Sequence, residues 1–208
     1  MRGVFCLPLL LLAAGCWQPR YFTPRENLNG TGPDGSPAAV YPVRGEAGSA
    51  AKGEVRVWSS GAMARFTDED DEVVDLHIGF EIENTGQDPL QLEVATLGLE
   101  EVFVDGLLQE RLEPHEVKGA GLAAPGLTTR VDLVFRPPTT YPRDVDSFSV
   151  RFSVRGAAGV GVGQLTPFIP DVRVSSYSDP GWGWSWGYSG YYGGYYGAWG
   201  WPGGARCR

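Results

Sequence analysis

Val74, Leu76, Ile78, Phe80 and Ile82 alternate without a miss with Asp75, His77, Gly79 and Glu81. A period of two sustained over that length is the signature of an extended strand with one apolar and one polar face. Five large apolar side chains on one face each contribute about 1.5 to 3 kcal/mol when fully buried, so they demand an apolar surface opposite. Two later stretches supply it. Val131, Leu133 and Phe135 alternate with Arg130, Asp132 and Val134, and Phe148, Val150, Phe152 and Val154 alternate with Ser149, Arg151, Ser153 and Arg155. Each has one face for a core and one for water, as antiparallel sheets do. The expected fold class is all-β, an antiparallel β-sandwich centred on the 74–82 strand.

The folded part is expected over residues 53–176, with strands at 54–58, 61–66, 73–83, 90–97, 101–108, 127–136, 147–155 and 164–174. Short strands separated by turn signals fit a sandwich and not βαβ units. The run from Asn84 to Pro89 closes the central strand, and Asp105-Gly106 is the signal of a hairpin with a primed turn. Helical periodicity is confined to the first residues of the chain.

Those first residues read as an export signal, with Arg2 as the positive n-region and Val4 to Ala14 as the apolar h-region, too short to cross a bilayer as a permanent helix. The signal ends in Leu12-Ala13-Ala14-Gly15-Cys16. This run resembles the lipobox of bacterial lipoproteins, and the resemblance implies a signal peptide over 1–15 and a Cys16 that becomes the lipidated first residue of the mature chain. Trp17 follows, not the aspartate that in this family retains a protein in the inner membrane. Outer-membrane sorting is therefore implied where a cell has two membranes. Of the three cysteines, Cys6 leaves with the signal and Cys16 becomes a thioether, so only Cys207 keeps a thiol. No internal disulfide is expected, although an exported location permits one.

Residues 16–52 hold no sustained period, and Asn29-Gly30, Pro33-Asp34-Gly35-Ser36-Pro37 and the run from Gly45 to Gly48 are turn formers. They read as a flexible N-terminal linker. Residues 177–208 form a Gly/Trp/Tyr-rich tail whose segment from Gly181 to Pro202 contains no Leu, Ile, Val or charged residue. Aromatic groups without aliphatic partners, spaced by glycine, read as low complexity and not as a core or a membrane helix. Trp182, Trp184, Trp186, Tyr191, Tyr192, Tyr195, Tyr196, Trp199 and Trp201 are its candidate surface-binding residues. Such side chains stack on sugars, settle at bilayer interfaces or associate with one another.

A second resemblance rests on the long apolar strand ending in Glu83-Asn84-Thr85-Gly86, the strand opening Leu90-Gln91-Leu92, and Ala124-Pro125-Gly126-Leu127-Thr128-Thr129 leading into Val131 to Phe135. This pattern looks like the immunoglobulin-like domains of bacterial surface lipoproteins. It implies that the strand after the Pro-Gly turn packs across from the Asn-terminated one.

Candidate chemistry is sparse. Gly183-Trp184-Ser185-Trp186-Gly187 matches a hydrolase nucleophile elbow by letter, but that motif works where a strand turns into a helix, and here it lies in a Gly/Trp repeat. His115-Glu116 opens like a zinc-protease motif, yet Gly119 stands where the second histidine belongs. The acidic run Asp68-Glu69-Asp70-Asp71-Glu72 reads as a solvated hairpin tip. His77 reads as an outward strand residue, and Gly159 to Gly163 as a strand connection. With no nucleophile and base at paired positions, no catalytic residue, metal or cofactor is assigned. The formal charge of −8 without a basic cluster argues against nucleic acid. The expectation is a non-catalytic, lipid-anchored envelope protein serving as a binding or structural module, with membrane reached through Cys16 and an envelope protein or glycan as partner. The alternative is carbohydrate or cell-wall binding through the aromatic tail.

Overall fold

The computed structural model describes residues 18–45, 50–157 and 160–171. The thirteen strands are β1 (Tyr21–Pro24), β2 (Gly30–Thr31), β3 (Pro37–Val43), β4 (Gly53–Phe66), β5 (Glu72–Asn84), β6 (Leu90–Leu92), β7 (Gly98–Val104), β8 (Leu107–Leu108), β9 (Glu116–Lys118), β10 (Leu122–Ala123), β11 (Thr128–Phe135), β12 (Val145–Arg155) and β13 (Gly161–Asp171). Among the described residues the helical pieces are two short 3₁₀ turns, Val94–Thr96 and Pro142–Asp144. The chain is an all-β sandwich of two antiparallel sheets. One has the order β2-β3-β4-β5-β11-β9; the other runs β1-β13-β12-β6-β10, with β7 pairing both β12 and β8.

The alternating run from Val74 to Ile82 is the centre of the core. Val74, Leu76, Ile78, Phe80 and Ile82 of β5 are all at most 1 % exposed, as are Val131, Leu133 and Phe135 of β11 and Phe148, Val150, Phe152 and Val154 of β12. The two sheets meet through aromatic rings, with Phe80 edge-on to Phe152 at 5.3 Å between centroids, while within the second sheet Phe148 stacks on its register partner Phe168 at 5.1 Å. Such pairs add about 0.5 to 1.5 kcal/mol beyond the area they bury.

The structure corrects the N-terminal boundary. Residues 16–52, read as a flexible linker, contain β1, β2 and β3. β1 closes one edge of the second sheet by pairing with β13, and β3 pairs with β4 from Ala38↔Trp58 to Val43↔Gly53. Phe22, Ala39, Tyr41 and Val43 lie in the core. Tyr41 spans the sandwich: its ring packs on Phe152 at 5.6 Å, and its hydroxyl shares a 2.8 Å hydrogen bond with Thr166 of β13. Ala39, Tyr41 and Val43 do carry a period of two, but Pro37 and Pro42 interrupt the strand signal, and proline is tolerated because β3 lies next to the short edge strand β2.

Other elements differ in detail. The stretches 54–58 and 61–66 are one strand, because the Ser59-Ser60-Gly61 break is a β-bulge and not a turn; Gly61 takes φ +106° and its N–H donates to Ser59 Oγ at 3.1 Å. The expected strand at 90–97 stops at Leu92, and the one at 101–108 is the β7–β8 hairpin. Its Asp105 and Gly106 have φ +50° and +71°, as a primed turn requires. Pro125-Gly126 forms the expected turn, with Gly126 at φ +72° and Leu127 N–H donating to the Ala124 carbonyl at 3.0 Å. The strand that follows it, β11, lies beside β5 in the same sheet, Thr128 opposite Glu83, and does not face it across the sandwich. Asn84 ties the end of β5 to the loop that follows it and to β10 of the other sheet: buried, it donates to the Asp88 and Ala123 carbonyls at 2.8 Å each and accepts from Gly86 N–H at 2.9 Å.

Candidate functional site

Cys16, the nine aromatic residues of the tail from Trp182 to Trp201, the Ser185 motif and Cys207 lie outside the described residues. Of the remaining candidates, the structure brings several to the outer face of the six-stranded sheet. On β5 that face carries Asp75, His77, Gly79, Glu81 and Glu83, and the register sets them beside Arg130, Asp132 and Val134 of β11 and beside Glu54, Arg56 and Trp58 of β4. It was expected to be wet along its length. It is not.

Asp75 is 5 % exposed and is held by two guanidinium groups, Arg65 Nε and Arg136 Nε, the latter at 3.0 Å. A carboxylate taken out of water needs such compensation. Two residues along, His77 is half-buried. Burial pushes its imidazole below the usual histidine value, opposed by the negative field of Asp75. Ser59 lies close to His77 in the ladder, yet its hydroxyl donates to the His77 backbone carbonyl at 3.2 Å and accepts from Gly61 N–H. That hydroxyl pins the bulge, and this is not the geometry of a nucleophile held by an imidazole.

Trp58 occupies the middle of the face at 1 % exposure. Its indole lies flat on Gly79, where a Cβ would come within 2.2 Å of the ring, and beneath Gly32, where one would come within 2.7 Å. The Arg130 guanidinium sits 5.3 Å from the ring centroid, a cation–π contact, and Trp58 Nε1 is buried without a hydrogen-bond partner among the described residues. Sequence reasoning passed over this residue, although a signal was present: a glycine on the polar side of a central strand marks a place where something lies against the backbone. Further along, Arg56 gathers Glu54, Glu81 and Glu83 into one ion-pair cluster.

Elsewhere, the acidic run is the tip of the β4–β5 hairpin. Its backbone is ordered by Thr67, whose Oγ1 accepts from the Glu69 and Asp71 N–H groups, while the carboxylates from Asp68 to Asp71 are exposed. His115 N–H donates to the Val134 carbonyl, placing His115 beside the short edge strand β9. Gly161 and Gly163 begin β13; Gly159 lies outside the described residues. Among the described residues no group of three or more His, Cys, Asp or Glu is arranged to hold a metal ion. A recess at the far end of the sandwich, lined by Lys52, Gly86, Asp88, Leu90, Gly156 and Val160, has about 20 Å³, room for roughly one water. The hairpin read from Asp105-Gly106 carries exposed leucines that the sequence analysis did not single out: Leu107 and Leu108 are 67 % and 64 % exposed.

No family model and no curated protein matches this chain. Among solved structures, one described as the X-ray structure of Northeast Structural Genomics Consortium target SoR45 is similar over 68 % of this chain and 97 % of its own, at 13 % identity and a TM-score of 0.36. A likeness so distant bears on neither activity nor partner.

Proposed function

We propose that this protein is exported, anchored to a bacterial membrane by a lipid on Cys16, and serves the envelope as a non-catalytic binding or structural module built on an immunoglobulin-like sandwich. The observation that carries the reading is the run Leu12-Ala13-Ala14-Gly15-Cys16 after a short apolar h-region. Trp17 after the cysteine directs it to the outer membrane of a cell with two membranes. The polar groups of the sandwich suit a structural role, since Asp75 is paired with Arg136, Arg56 with Glu81, and Arg130 lies over Trp58. The immunoglobulin-like assignment is supported by the paired antiparallel sheets and the Pro125-Gly126 turn; the placement of β11 beside β5 is its departure from the expected pattern.

A second reading is favoured by one feature, the tail. Its tryptophans and tyrosines between Gly181 and Pro202 suit stacking on glycan or cell wall, where several weak contacts on one polymer add up. A chain ending at Ser176 separates the two. If the tail is the binding element, this chain melts with the full mature protein but loses retention on isolated cell wall and glycans. Unchanged retention assigns binding to the sandwich, and a melting temperature lower by many degrees assigns the tail to the fold.

A further inference from the structure

The end of the sandwich at which Arg20 precedes β1 is also the end that displays the most exposed leucines among the described residues. Tyr21 at the start of β1 lies opposite Asp171 at the end of β13, while Val145 at the start of β12 lies opposite Val104 at the end of β7. Phe148 is opposite Phe168, so all four strand ends share one edge of the sandwich. The link is also direct. Arg20 donates to the Arg143 carbonyl and approaches Asp146 at 3.8 Å; Asp146 in turn accepts from Gly106 N–H at 2.7 Å, and Asp105 N–H donates to the Asp144 carbonyl at 2.7 Å. Residue 20 is thereby coupled to the turn that presents Leu107 and Leu108.

Arg20 follows Cys16 by four positions in the sequence, a reach of about 14 Å when fully extended. A diacylglyceryl group on Cys16 therefore holds this end against the bilayer at high effective concentration. Beside the hairpin, Tyr141 is 42 % exposed with the Arg143 guanidinium 5.2 Å from its ring centre, and the Arg143 side chain is 81 % exposed. A tyrosine and an arginine flanking exposed leucines are the residue types that settle at a bilayer interface. We propose that the β7–β8 hairpin, with Tyr141 and Arg143, seats in the headgroup layer of the membrane that carries the anchor and so fixes how the sandwich stands on it. The inference rests on the lipid anchor proposed above. It also specifies the lipid: β4 continues past its Arg20↔Ala62 bridge to the acidic tip, so those carboxylates lie at the same end and favour a zwitterionic surface over an anionic one.

The test uses the mature lipidated protein with Cys207→Ser, labelled with an environment-sensitive fluorophore at Leu108→Cys or, at the far end of the sandwich where β10 pairs β6, at Leu122→Cys. Each is reconstituted into phosphatidylcholine vesicles containing a nitroxide lipid. The label at 108 is expected to be quenched several-fold more than that at 122, and less when phosphatidylglycerol is added. Equal quenching at both positions in protein that floats with the vesicles overturns the docking and leaves the anchor standing. Failure to float overturns both. Cross-linking between labelled positions 108 of two copies, without lipid quenching, overturns the proposal in favour of self-association.

Discussion

A chain that begins at Gly53 is expected to lose cooperative folding altogether, whereas the full chain made soluble by Cys16→Ser melts in one transition. The deletion removes β1 to β3, and with them Phe22, Ala39, Tyr41 and Val43 from the core. Burial of Phe22, Tyr41 and Val43 contributes about 1.5 to 3 kcal/mol each, a sum comparable with the 5 to 15 kcal/mol that holds a typical domain together. The loss goes beyond area. β4 and β13 would become edges with unpaired N–H and C=O groups, a template for aggregation, and Thr166 would lose the Tyr41 hydroxyl from a buried position. Circular dichroism against temperature checks this. A sharp transition in the shortened chain would restore residues 16–52 to the status of a linker.

The largest effect expected of a single substitution is at Phe80, where Phe80→Ala should cost about 3 to 5 kcal/mol. Phe80 is fully buried, lies between Val57 and Val131 in the ladder and stands edge-on to Phe152 of the opposing sheet. Its removal opens a cavity at the junction of both sheets, and such a cavity cannot collapse without shifting strands. His77→Ala, one position class away on the outer face, should cost about 1 kcal/mol or less. Urea denaturation of the two variants at constant m-value measures the contrast. Equal losses would mean that the register of β5 is shifted by one residue, since a slip of one exchanges the two faces.

The core was legible because its strands obey a period of two over long runs: β5, β11 and β12 are read directly from their alternation, and Asp105-Gly106 and Pro125-Gly126 from the backbone conformations those pairs favour. What the sequence concealed has specific physical causes. Proline at 37 and 42 masked β3, whose place beside a two-residue edge strand makes proline tolerable. Ser59-Ser60-Gly61 looks like a turn and is a bulge, a distinction that depends on whether the chain reverses, which only the partner strand decides. The outer face of β5 was expected to be solvated because Asp75, His77 and Gly79 are polar or small, but Trp58 lies on Gly79 and two arginines from other elements cover Asp75. Those contacts are long-range in sequence. The candidate residues of the anchor and the tail were read from motif and composition, and they stand on chemistry that lies outside the sandwich.

The proposed envelope role depends on the state of Cys16, and mass spectrometry of the N-terminal peptide of protein purified from membranes tests it most directly. The expected mature chain begins at Cys16 and carries a thioether-linked diacylglyceryl group, with the mass increment absent and the protein released from membranes in the Cys16→Ser variant. A mature chain that begins at another residue, or a Cys16 with a free thiol in membrane-bound protein, would contradict it.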